Sequence, residues 1–248
     1  MVRYHTVCAI AALSVCSTLP AQAGAPAAVY PRMAPLAAYL SADRASEVAL
    51  ARSAAPAAIA DHATVLALGR KGYEQVVKGS NGFVCFVERS WANDFDNGQF
   101  WNPRIRTPQC WNAAAARSLL PDYLNRTRWV LAGASRDEMA ARTKREFASH
   151  EAGPPAPGSM AYMMSKRQYI LDPSPTAGPA NWYPHVMFFV QATNGSPWGA
   201  NVPGGPLFSG TSDAEPVSSY FLVVPNWSDG TPGPGLTASG VPHAHHHD

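Results

Sequence analysis

The chain has 248 residues, with 19 Lys and Arg against 17 Asp and Glu, for a formal net charge of +2. So even a balance excludes a protein built mainly for nucleic acid, because phosphate binding needs a concentrated basic surface. The densest basic cluster, Arg142-Thr143-Lys144-Arg145, has Asp137, Glu138 and Glu146 around it and reads as a solvated helix face.

The first 23 residues read as an export signal. Arg3 marks a short basic n-region, residues 6–19 form an apolar h-region, and Ala21-Gln22-Ala23 offers a small-x-small cleavage site before Gly24. The h-region is too short, and too soon followed by Pro20, to span a membrane. The mature protein is therefore expected to be periplasmic or secreted, with no membrane span after signal cleavage. Cys8 and Cys16 leave with the signal. Cys85 and Cys110 remain, and two cysteines in an exported chain predict one disulfide. Closing that loop is worth on the order of 3 kcal/mol of unfolded-chain entropy, in a model whose mechanism is disputed. The redox or nucleophilic alternative is disfavoured because the spacing is far from C-x-x-C and no His lies between.

Residues 24–34, rich in Ala and Pro, read as a flexible mature N-terminus. A single domain is expected over 35–228. Ser41 or Asp43 caps a helix to about Ala54, and Pro56 stops it. Three strand-like runs follow as a meander: residues 64–68, 73–78 and 83–89, separated by Gly-containing turns. In the third, Phe83, Cys85 and Val87 face one way, and Val84 and Phe86 the other. Both faces are apolar, which suits a central strand covered on both sides. Glu88 and Arg89 then leave on opposite faces.

Residues 90–111 look aromatic and irregular, carrying Trp91, Phe95, Phe100, Trp101 and Trp111. Asn112 caps a helix to about Leu119, Pro121 forces a kink or a new start, and helix resumes from Asp122 to Leu131 before Gly133. Ser135-x-x-Glu138 is a capping box for a helix to about Ser149, with Met139, Thr143 and Phe147 toward the core. After a Pro-rich break at 153–158, three more strands are expected: Met160 to Ser165, His185 to Gln191 and Ser219 to Val224. A disordered His-rich tail is expected over 229–248. Strands, then helices, then strands imply α+β: a mostly antiparallel sheet of five or six strands with helices packed on one face.

No motif fixes a reaction. There is no Walker loop, no G-x-G-x-x-G and no H-E-x-x-H, so no cofactor is implied. For hydrolysis, Ser90 with His185 and Glu88 or Asp94 supplies a nucleophile, a base and an acid by residue type alone. The turn Asp94-Phe95-Asp96-Asn97-Gly98 resembles the start of a calcium loop, but its Gly comes one position early and no Glu stands at the twelfth position. His185 shares a strand face with Met187, and Met160, Met163 and Met164 lie on a neighbouring strand: a soft ligand set suited to copper. His243, His245, His246 and His247 form a metal-prone tail that lacks supporting groups. The loop aromatics bind a ligand if exposed and form a satellite core if buried, the latter being expected.

The runs Val65-Leu66-Ala67-Leu68-Gly69-x-x-Gly72-Tyr73-Glu74, residues 81–91 (NGFVCFVERSW) and Phe100-Trp101-Asn102-Pro103 resemble a group of uncharacterised exported bacterial proteins, over most of the mature chain. The resemblance implies no activity and assigns no residue a role. The reading is an exported non-catalytic binding or structural domain with an unknown small-molecule or protein partner. The alternatives are a hydrolase-like enzyme with its cleft between loops 90–111 and 180–216, and a copper-binding protein.

Overall fold

The structure is a computed structural model describing residues 30–170, 172, 182–212 and 214–234. The expected signal, residues 24–29 of the mature N-terminus and the four tail histidines lie outside the described residues.

One mixed sheet carries the fold. Its strands are β1 (Thr64–Gly69), β2 (Gly72–Val77), β3 (Val84–Glu88), β4 (Thr107–Trp111), β5 (Met160–Met163), β6 (His185–Gln191), β7 (Leu207–Thr211) and β8 (Val217–Val223). They lie in the order β2-β1-β3-β4-β5-β6-β8-β7. The sheet thus has eight strands rather than five or six. The two unforeseen strands are β4, whose Thr-Pro-Gln-Cys-Trp shows no alternation, and β7, which sits in a Gly- and Pro-rich stretch. Pro108 is tolerated in β4 because β5 pairs only with Cys110 and Trp111, so the missing N–H breaks no ladder on that side.

The expected meander is corrected as well. β1 and β2 form an antiparallel hairpin, but β3 returns to pair with β1, in parallel, leaving β2 at the edge. The reason is burial. β3 is apolar on both faces and needs neighbours and cover on both sides, whereas β2 exposes Glu74 and Gln75.

Helices α1 (Arg44–Arg52) and α2 (Ala57–Ala60) cover one face of the sheet. Asp43 caps α1 by accepting from the Ser46 N–H at 2.7 Å, and alanines 51, 54, 55, 60 and 63 let the helices approach Val65, Cys85, Val87 and Cys110. On the other face lie α3 (Ala113–Ser118) and α4 (Leu120–Leu131), with α5 (Arg136–Ala148) against α4. Their layer joins Ala115, Leu119, Leu120 and Tyr123 to Phe86, Trp111, Ala161, Met187 and Phe189. Helices therefore pack on both faces, not one. The capping box of α5 is formed, and Met139 and Thr143 are buried.

Cys85 and Cys110 stand opposite each other in β3 and β4 and are joined as a disulfide. No helix of the described residues is long and apolar enough to cross a membrane. Trp91, Phe100, Trp101 and Trp111 are buried and form core, whereas Trp198 of a later loop is exposed. Residues 30–34, expected to be loose, are tied down: the Tyr30 hydroxyl donates to Asp172 at 2.5 Å, and the Ala34 N–H to the Tyr39 hydroxyl at 3.2 Å. The expected disordered tail is likewise ordered through 234, where Asp229 pairs with Lys166 at 2.9 Å and the Gly233 N–H donates to Pro225.

Candidate functional site

At the end of β3 the chain alternation sends Glu88 to the α4 face and Arg89 to the α1 face. Arg89 meets Glu47 of α1, its Nη2 lying 2.8 and 2.9 Å from the two carboxylate oxygens. Glu88 and Arg89 are thus not paired with each other. Glu88 instead lines a cavity of about 230 Å³ between the sheet, α4 and the loop before β8.

Gln109, also on this wall, donates its amide N–H to Glu88 and accepts from the Trp111 indole N–H at 2.5 Å. Trp111, Met187, Phe189 and Phe221 form the apolar floor. From α4 come Asp122 and Arg126, four residues apart and so on one helix face. Across the opening, Thr211, Ser212 and Glu215 complete the rim together with Asp94. Arg126 is almost fully buried. It pairs with Glu215, donates to the carbonyls of Ala92 and Asn93 at 3.2 Å each, and lies 4.2 Å from the centroid of the Phe95 ring. One cation thus joins the 90–97 loop to the loop before β8 and closes one side of the cavity.

The electrostatics follow from this shape. Burial pushes the Glu88 carboxyl up to about 8, against the opposing pull of Arg126 and the Gln109 hydrogen bond. Burial also lifts Asp122 to about 7, helped by the charges of Glu215 and Glu146. Behind them the Tyr123 hydroxyl, with its proton held by burial, contacts Tyr73 at 3.0 Å and accepts from the Arg89 N–H at 3.2 Å. At neutral pH the inner end of the cleft therefore presents a protonated carboxyl, which donates as well as accepts.

Of the residues singled out in the sequence, Glu88, Asp94 and Met187 line this cavity and Ser90 and His185 do not. Ser90 is fully buried in a 3-10 turn, and its hydroxyl has no hydrogen-bond partner among the described residues. The His185 Nδ1 is 2.9 Å from the Tyr183 carbonyl, and its Nε2 has no partner there either. The serine triad is therefore not assembled: no hydrogen bond joins hydroxyl, imidazole and carboxylate. Residues 94–98 form turns through the Asn97 N–H to the Asp94 carbonyl. Among the described residues no three His, Cys, Asp or Glu side chains converge as metal ligands. Met187 does share its face with His185, as β-alternation requires.

Gln109, Asp122, Arg126 and Glu215 escaped sequence reasoning. Asp122 and Arg126 carry a four-residue spacing that could have drawn notice. Gln109 and Glu215 carry no local signal at all.

The chain matches no known protein family, no curated protein and no solved structure. Function must accordingly be read from the cleft itself.

Proposed function

We propose that the protein is exported and that its mature domain is a non-catalytic binding protein for a small polar molecule held in the Glu88 cleft. What carries this reading is the Glu88 carboxyl, pushed up to about 8 by burial, in a cavity floored by Trp111, Met187, Phe189 and Phe221. Apolar floor plus a few convergent polar groups is the usual make-up of a small-molecule site. A ligand oxygen placed against Glu88 would accept its proton. Ligand hydroxyl or amine groups would meet Asp122, Glu215, Thr211 and Ser212. Export accords with the Cys85–Cys110 disulfide, which persists in oxidising compartments.

Thermal-shift screening against neutral mono- and disaccharides and amino acids, followed by calorimetry, tests the reading. A ligand of the cleft loses at least tenfold in affinity in Glu88→Ala and stays within a few-fold in Glu88→Gln, since an amide still donates. Undiminished binding in Glu88→Ala would place the ligand elsewhere and end the proposal.

A second reading, hydrolysis by general acid catalysis, is favoured by one feature: two carboxyls line the same cavity, Glu88 and Asp122, and burial pushes them up to about 8 and about 7. In that case Glu88→Gln abolishes turnover while preserving binding. The same variant thus separates the two readings.

A further inference from the structure

His185 opens β6, almost fully buried, and its surroundings are not those of an ordinary core histidine. Its Nδ1 lies 2.9 Å from the Tyr183 carbonyl, and the carbonyl accepts only if Nδ1 carries the proton. That hydrogen bond fixes the tautomer and leaves a bare lone pair on Nε2. No described residue satisfies that lone pair. A buried acceptor left without a partner is destabilising. The chain keeps it nonetheless.

Two thioethers stand beside it. Met163 of β5 is the cross-strand partner of His185, on the same face of the sheet. Met187 is two residues along β6, hence on that face too, and the residue opposite it is the small Ala161. Both methionines are buried. The Trp182 ring stands edge-on to the imidazole, with centroids 4.6 Å apart, and the Phe221 ring closes another side at 5.6 Å. Met187 and Phe221 also line the Glu88 cavity.

We propose that His185 Nε2, with the sulfur atoms of Met163 and Met187, forms a site for a monovalent soft cation, Cu(I) or its analogue Ag(I). Thioether and imidazole are the donors such ions prefer. All three ligands are neutral, so the loaded site buries a single charge. A divalent ion such as Zn²⁺ would bury two charges with no thiolate or carboxylate among the three ligands, and is disfavoured. The Tyr183 carbonyl orients the imidazole in the way that outer partners orient ligating histidines. The site shares Met187 with the cleft floor but uses none of the cleft's polar groups, and the Cu(I) titration reads it without any cleft ligand.

The test uses the mature chain from Gly24, which lacks the Cys8 and Cys16 thiols, with His243, His245, His246 and His247 each changed to Ala to remove the tail imidazoles. Cu(I), kept reduced with ascorbate in the absence of air, is titrated in competition with a chromophoric Cu(I) chelator. One equivalent should be retained, with quenching of tryptophan fluorescence, and Zn²⁺ should not compete. Met163→Leu and Met187→Leu conserve volume and should each weaken retention at least tenfold while the circular dichroism spectrum is unchanged. Independently of any sulfur variant, X-ray absorption of the Cu(I)-loaded chain should show two sulfur neighbours and one nitrogen. Failure to hold Cu(I) against the chelator, equal retention in correctly folded Met→Leu variants, or a first shell without sulfur would each overturn the assignment.

Discussion

Glu88 and Arg89 are consecutive residues that leave the end of β3 on opposite faces of the sheet and meet opposite fates. Arg89 is fully enclosed and bonded to Glu47, to the Tyr39 carbonyl at 2.7 Å and to the Val87 carbonyl at 2.5 Å. Glu88 turns into the cleft and keeps its proton to about pH 8. A single strand end thus supplies both the lock that holds α1 on the sheet and the acid of the candidate site.

The raised pKa of Glu88 ties stability to pH. The unfolded chain releases this proton near the ordinary value of 4.5, whereas the folded one holds it until about 8. Between those values the native state binds more protons, so stability falls as pH rises through that window. Asp122, lifted from 3.8 to about 7, acts in the same direction. Glu88→Gln removes the larger part of this slope. Allowing for water in the cleft, it should stabilise the protein at pH 8, relative to pH 5, by about 1–2 kcal/mol more than wild type. Urea unfolding at the two pH values measures this. A slope unchanged in the variant would show that Glu88 ionises normally.

Breaking the Arg89–Glu47 pair strands a buried charge. Arg89→Met is expected to cost about 3–5 kcal/mol, because the Glu47 carboxylate then lies uncompensated under α1. Arg89→Met combined with Glu47→Leu should recover much of that loss. Denaturant midpoints of the single and double variants check both statements.

Removing the cross-strand disulfide by Cys85→Ala with Cys110→Ala should lower stability by about 3 kcal/mol, as expected for a closed loop of 25-residue separation. The helix layer on the Cys face should persist, since alanine fits among the α1 and α2 alanines. Calorimetry gives the loss, and circular dichroism the retained fold.

Asp172 gathers the Tyr30 and Tyr169 hydroxyls, the Asn102 amide and Arg104, and burial notwithstanding, these donors hold its carboxyl below the usual range. Asp172→Ala should free the segment at 30–34 with less than about 1 kcal/mol of global destabilisation, because the cluster lies near the surface. Limited proteolysis should then cut near Arg32, where wild type resists. Equal resistance would show that Tyr30 is held by other contacts.

Local sequence determined the pieces of this protein. The caps at Asp43, Asn112 and Ser135, the run His185–Gln191, the two-faced apolar β3 and the pairing of Cys85 with Cys110 depend on neighbouring residues, alternation or counting, and each is found in the structure. What joins them was decided only in three dimensions. The parallel return of β3 to β1 and the strand status of β4 depend on which partner buries an apolar face, and no residue of β4 alone encodes that. The cleft is of the same kind: Glu88, Gln109, Asp122, Arg126 and Glu215 come from three strand or helix elements and one loop, and converge because the α4 layer seals one side of the sheet. Hydrogen bonds and periodicity act over a few residues, so a sequence displays them. Burial and charge are set by whatever folds against a side chain, and so Glu88 became an acid at neutral pH, and the lone pair of His185 lost its partner, only once the sheet was assembled.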